Sequence, residues 1–338
     1  MTPRPWTRFA LPLLLASIPL ANCVGPASVS SSRDLSGYPQ ATLTNRSLSL
    51  NVYLPAPDGF YRGPRFDWSG IISRLDFQGH TLFAPRHVIH IPQNQDNALG
   101  TPDEFGMDSA LNYNDVNPGE PFLKIGVGAL IRVDAGEYQF NAEYPILTPV
   151  PWTNRFGANF VESTQTQPTF KGWGYTYTKR LELLGDEAGF IITRTLTNTG
   201  TREINTTHYC HNFLLVDQKP VGPGYTLEYP GAPKFAEGAS TQDSISIHDR
   251  TIQFDRAIVP GKPVYAPLDG LSTNEPYRMK MREASSGLEL EIRGDRPLSK
   301  AVLYAEPAAL CPEAFITLKI PPGQTQKWRT EYRLKIVK

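Results

Sequence analysis

The chain has 338 residues, 40% of them hydrophobic, with 33 Lys+Arg against 33 Asp+Glu and a formal net charge of zero. That length and composition supply a large core. The neutral balance excludes the basic footprint of a nucleic-acid binder, so no nucleic-acid partner is expected, while neutral sugars stay open as ligands.

At the N-terminus, Arg4 and Arg8 flank the start of an apolar run, FALPLLLASIPLA (Phe9–Ala21), and small polar residues follow. The run is short for a membrane span and has the layout of an export signal over residues 1–22. An exported, periplasmic protein is therefore expected. The segment LANC, ending at Cys23, resembles a bacterial lipoprotein signal, although Asn22 departs from the small residue usual before the cysteine. Cys23 is thus a candidate lipid anchor. Residues 23–45 read as a flexible linker and 46–338 as one domain. The remaining cysteines, Cys210 and Cys311, could pair in an oxidising compartment or stay as buried thiols.

From there the pattern is strands. RSLSLNVYL, GIISRLDF, HTLFAP, FLKIGVGALIRV, WGYTYTKRLELL, GFIITRTLTNTG, HYCHNFLLV, SISIH, TIQFDR, GLELEIRG, KAVLYAE, FITLKI and QKWRTEYRLKIV are short and rich in β-branched and aromatic residues. The 27 Gly and 31 Pro fall largely between them as turn formers. No helix longer than a few turns and no fixed-period repeat is visible. The expected class is all-β, a large antiparallel β-sandwich.

Five stretches carry chemistry. YRGPRFDWSG supplies Arg65, Asp67 and Trp68, which could grip hydroxyls and stack on a sugar ring. GTPDEFGMDS reads as an acidic loop in which Asp103, Glu104 and Asp108 could ligate a hard cation such as calcium, or simply be solvated. In the strand after it, Lys124 alternates with Leu123 and Ile125, and the glycines permit close backbone approach. In GWGYTYTKRLELL, Trp173, Tyr175, Tyr177 and Lys179 share one parity, hence one face of a strand. That face could be a sugar platform or core. In NTTHYCHNFLLVDQKPVGP, Tyr209, His211 and Phe213 point one way and His208, Cys210 and Asn212 the other, with Asp217 on the His211 side if no bulge intervenes. A histidine there could transfer protons near neutral pH, or be a hydrogen-bonded core residue. Near the C-terminus, Glu313 in CPEAF and Glu306 in YAEP compete as a general base.

The last two stretches together resemble the galactose mutarotase-like superfamily, which includes the aldose epimerases. Its members carry a histidine in an aromatic strand near mid-chain, and a glutamate in a Cys-Leu-Glu-like segment before a Pro-Gly turn and a last strand. Here Tyr209–His211–Asn212–Phe213, Cys311–Pro312–Glu313 and PPGQTQKWRTEYRL occupy those places. The chain resembles a distinct, exported bacterial branch. The resemblance implies a supersandwich with a sugar site on a concave sheet and no cofactor. It makes Glu313 the base at the anomeric hydroxyl, His211 the acid at the ring oxygen, and Arg65 a sugar-binding arginine. Asn212, Asp217, Trp173, Tyr175, Lys124, Asp67 and Trp68 join the candidate substrate-binding set. One departure stands out: the additional histidine of aldose epimerases is missing, since no histidine lies between His90 and His208. A polysaccharide lyase, a glycoside hydrolase and a non-catalytic sugar-binding protein remain alternatives on the same fold.

If His211 and Glu313 share a groove, strand parity sends Cys210 and Cys311 to different faces. That argues against a disulfide between them.

Overall fold

The computed structural model describes residues 37–337, so the signal segment and Cys23 lie outside the described residues. Apart from one short 3-10 turn, Tyr113–Asp115, the regular structure among the described residues is strand, and the strand pairs are antiparallel. A ten-stranded sheet has Pro276–Glu283, Leu288–Pro297, Thr325–Ile336, Gly189–Asn198, Trp173–Leu183 and Phe160–Phe170 as successive neighbours in its middle. A six-stranded sheet runs Lys234–Phe235, Val264–Asp269, Lys300–Glu306, Ala309–Ile320, Ile204–Cys210, Asp103–Phe105. A four-stranded and a three-stranded sheet complete the fold.

The two large sheets pack face to face because each strand alternates apolar inward and polar outward. Leu181, Ile192 and Leu290 of the larger sheet share a core with Leu303, Leu310 and Ala314 of the smaller. Tyr175, Tyr177, Leu196 and Trp328 meet Ile204, Ile316, Leu318 and Ile320 in the same way. The all-β sandwich expected from the sequence is what forms.

Local readings differ in four places. Gln40–Thr44 is a strand paired with Leu48–Tyr53, so the folded part includes the end of the expected 23–45 linker. Its polar sequence, QATLT, hides an edge strand with a single buried leucine. FLKIGVGALIRV is not one strand but a hairpin, Pro121–Lys124 and Gly128–Ile131. The turn contains Gly126 at φ 86°, where a Cβ would lie 2.3 Å from the Cβ of Asp67. Asp103–Phe105 is a fully buried strand rather than a solvated loop. Phe160–Phe170 was illegible as a strand because its inward residues are largely polar: Ser163, Gln165 and Gln167 are buried beside Val161. Gln165 earns its place by accepting from the Tyr175 hydroxyl at 2.9 Å and from the Gly126 amide at 3.1 Å.

Candidate active site

Strand Ala309–Ile320 shows how the site is placed. Its even positions Leu310, Ala314, Ile316, Leu318 and Ile320 face the sandwich core. Its odd positions face away, and Thr317 and Lys319 are exposed there. Yet Ala309, Cys311, Glu313 and Phe315 on that outer face are buried, because the long early loops fold over this end of the sheet. The neighbouring strand Ile204–Cys210 adds Tyr209, stacked on Phe315 at 4.2 Å. Beyond Cys210 the chain stays extended, with the His211 and Phe213 amides bonded to the carbonyls of Pro102 and Gly100. His211 therefore continues the outward face and stacks on Phe213 at 4.1 Å.

The result is a cleft of about 260 Å³ on the outer face of the six-stranded sheet. Tyr209, His211, Glu313, Tyr304 and Tyr265 come from the sheet. Arg65, Arg86, Gln95, Asp96, Met107, Phe140 and Asn141 come from the covering loops. At its floor His211 Nε2 lies 3.2 Å from Glu313 Oε1. Burial pushes the Glu313 carboxyl up to about 8, against an opposing pull from Arg65. Burial, with the Arg65 and Arg86 charges, holds His211 well below the usual imidazole range. Near neutral pH both groups are therefore uncharged.

Behind the cleft wall sits a buried ion cluster. Glu104 accepts from Arg65 Nε at 2.9 Å and from the Tyr209 hydroxyl at 2.5 Å, and Lys124 Nζ lies 3.4 Å away. Lys124 also donates to the Tyr138 hydroxyl at 2.8 Å, and burial lowers its pKa to about 8. Arg65 further donates to Tyr209 at 3.2 Å. Arg86 ties the loop to the sheet through Glu306 at 2.7 Å and Asp96 at 3.2 Å. Glu306, the rival of Glu313, is thus engaged by Arg86 and does not itself line the cleft.

The candidate residues separate into two groups. The cleft gathers His211, Glu313 and Arg65, and Lys124 lies behind it against Glu104, the carboxylate that holds Arg65. The others lie elsewhere. Asp67 is fully buried in a second cluster inside the sandwich, with Lys179, Asp103, Arg194 and His208. Trp68 is buried in an adjoining core and donates to the Gly63 carbonyl at 2.9 Å. Tyr175 and Tyr177 are core residues, and Trp173 packs at its edge. Asn212 faces the other way from His211, donating to the Cys210 and Pro312 carbonyls and accepting from Tyr332. Asp217 lies off the strand at φ 50°, paired with His80 at 2.9 Å. It opens a turn just after the bridge at Val216, so it does not continue the His211 face.

The calcium reading of Asp103, Glu104 and Asp108 does not fit. Asp103 is bound by Arg194, Glu104 by Arg65, and Asp108 is exposed. Among the described residues no group of three His, Cys, Asp or Glu is arranged to hold a metal. Cys210 and Cys311 are both free and buried on opposite faces, as parity required. Sequence reasoning missed Arg86, Asp96, Phe140, Asn141, Tyr265 and Tyr304 as cleft residues. Only the aromatic doublet of strands Val264–Asp269 and Lys300–Glu306 left a trace: Tyr265 and Tyr304 are register partners.

This architecture is the galactose mutarotase-like fold. The chain is similar to a protein of Synechocystis sp. PCC 6803 at TM-score 0.55 and 14% identity, over 89% of this chain and 96% of that one. A galactose mutarotase-like protein from Clostridium acetobutylicum matches at TM-score 0.54 and 10% identity, covering 88% and 95%. A galactose 1-epimerase from Lactobacillus acidophilus matches at TM-score 0.53 and 10% identity, covering 88% and 94%. No protein-family model and no curated protein matches the sequence.

Proposed function

We propose that the cleft binds a sugar and opens its hemiacetal at the His211–Glu313 pair, the reaction of an aldose epimerase. The observation that carries this reading is the pair itself: a carboxyl and an imidazole 3.2 Å apart in a cleft lined by aromatic and hydrogen-bonding side chains, with burial pushing the carboxyl up and the imidazole down. Ring opening moves two protons, one off the anomeric hydroxyl and one onto the ring oxygen, and needs neither hydride transfer nor an added nucleophile. Phe140, Tyr265 and Tyr304 offer apolar faces for the sugar's C–H surface. Arg65 uses its Nε and one Nη2 hydrogen internally and has N–H donors to spare for hydroxyls. The volume suits about one sugar ring, so the ligand is a free aldose or the reducing end of a short oligosaccharide. The N-terminal signal pattern supports placing this activity in the periplasm.

Anomer exchange by NMR tests the reading. Purified protein is added to a panel of aldoses and uronates beside Glu313→Gln. Acceleration on at least one sugar, lost in the variant, is expected. A panel without acceleration, combined with measurable sugar binding, would leave a binding protein and sink the epimerase reading.

A further inference from the structure

The proposed reading leaves open which group moves which proton, and the surroundings of the pair are unequal. His211 lies between two rings, stacked on Phe213 at 4.1 Å and met edge-on by Phe66 at 5.3 Å. Each ring carries a guanidinium: Arg86 at 4.3 Å from the Phe213 centroid and Arg65 at 4.4 Å from that of Phe66. Two permanent cations thus flank the imidazole, each with one ring between. An imidazolium is disfavoured there by like charge as well as by burial.

The tautomer follows from the other nitrogen. Nδ1 is buried and has no hydrogen-bond partner among the described residues. A buried N–H without an acceptor costs more than an unused lone pair, and such orphaned donors are rare. The proton of the neutral ring therefore sits on Nε2, the nitrogen 3.2 Å from Glu313 Oε1. A nitrogen that already carries its proton cannot take another from the anomeric hydroxyl, and a neutral imidazole N–H is a poor acid.

Glu313 has the opposite character. Its ion-pairing contact among the described residues is His211. The groups facing it are Tyr209 and His211 from one strand and its continuation, Tyr265 and Lys300 from the other side, Glu104 from the edge strand of the same sheet, Arg65 from a covering segment, and Cys311 on its own strand. Lys300 directs its amine over Phe315, 5.1 Å from the ring centroid, and Arg65 is engaged by Glu104.

Resting on the epimerase reading, we propose that Glu313 alone moves both protons, as a neutral carboxylic acid, while His211 is a neutral Nε2–H donor that positions it. The carboxyl O–H proton passes to the ring oxygen as the bond from the anomeric carbon to that oxygen breaks, its electron pair staying on oxygen. The electron pair of the anomeric O–H bond forms the new C=O. The released proton goes to the second carboxyl oxygen, whose remaining lone pair accepts from His211 Nε2. Glu313 ends as a carboxylic acid with its oxygens exchanged in role. After the carbonyl turns, the same steps in reverse close the ring on the other face. No charge separates, which suits a buried site flanked by compensated ions.

Two measurements test this. In the unliganded protein, nitrogen-15 and carbon-13 NMR should show His211 as the neutral Nε2–H tautomer at neutral pH, with no imidazolium at its ordinary pKa of about 6.5, and Glu313 protonated at neutral pH, the carboxyl signal being assigned by its loss in Glu313→Gln. An imidazolium, the Nδ1–H tautomer, or a Glu313 carboxylate at neutral pH would overturn the proposal whether or not any sugar is turned over. In the anomer-exchange assay, His211→Gln, which keeps an amide donor, should lower kcat by no more than about 10-fold. A proton-transferring residue would cost about 10²–10⁴-fold. His211→Leu should fall below His211→Gln, and wild-type activity should decline as pH rises past about 8. A His211→Gln loss as deep as that of Glu313→Gln, in a variant still folded by circular dichroism, would return His211 to a proton-transfer role. An inactive wild type with the expected NMR state would instead count against the epimerase reading.

Discussion

Asp103→Asn isolates the charge balance of the sandwich interior. Asp103 accepts from Arg194 at 2.7 and 2.8 Å and from the Tyr177 hydroxyl at 2.8 Å, with Lys179 Nζ at 3.1 Å. Asp67 is the second carboxylate, 3.3 Å from Lys179. All four charged side chains are at most 1% exposed. Two anions therefore balance two cations, and His208 beside them is held neutral by burial. The amide keeps the shape of Asp103 but leaves one buried positive charge uncompensated. Removing one partner of a buried pair costs about 3–5 kcal/mol, a large share of a total near 5–15 kcal/mol. With a urea m-value of about 3 kcal/mol/M, the midpoint should fall by about 1–1.7 M. Arg194→Gln combined with Asp103→Asn restores neutrality and should recover about 1–3 kcal/mol of the summed single losses. A single-variant loss below about 1 kcal/mol, or purely additive losses in the double variant, would refute the charge-balance argument.

Three further expectations follow from the same contacts. Glu104→Gln weakens the hold on Arg65 and Tyr209, so sugar KM should rise by roughly 10-fold, about 1.4 kcal/mol, with a smaller change in kcat, as read by anomer exchange. His208 is depressed by burial from 6.5 to about 4. Its neutral form stabilises the fold fully above pH 6.5, and that contribution is lost as pH falls toward 4. It amounts to about 3 kcal/mol, and a flatter urea-midpoint profile in His208→Gln between those pH values would verify it. Gly126→Ala places a methyl 2.3 Å from the Asp67 Cβ at a positive φ, and should cost about 2 kcal/mol or more in thermal unfolding.

Strand parity separated Tyr209, His211 and Phe213 from His208, Cys210 and Asn212, and the two sets do face the cleft and the sandwich interior. The same rule placed Tyr175, Tyr177 and Lys179 on one face, but could not say that the face was core. Asp67 and Lys124 looked like ligand-gripping groups because charge is normally exposed. Here each is neutralised by partners distant in sequence, Lys179 with Asp67 and Glu104 with Lys124. Asp103 and Glu104 read as a solvated loop for the same reason.

The sequence by itself determined the all-β class and the strand alternation, which follow from period-2 patterning. It offered the His211–Glu313 pairing only through the family resemblance, and folding brings the two side chains to 3.2 Å. Only the tertiary structure decided that Arg86, Asp96, Phe140 and Asn141 close the cleft, and that adjacent acids Asp103 and Glu104 serve two different ion clusters. Such outcomes depend on where long irregular segments cross the sheet, and on which buried charges meet there. Neither leaves a periodic signal in the chain, because the partners are brought together by folding rather than by spacing.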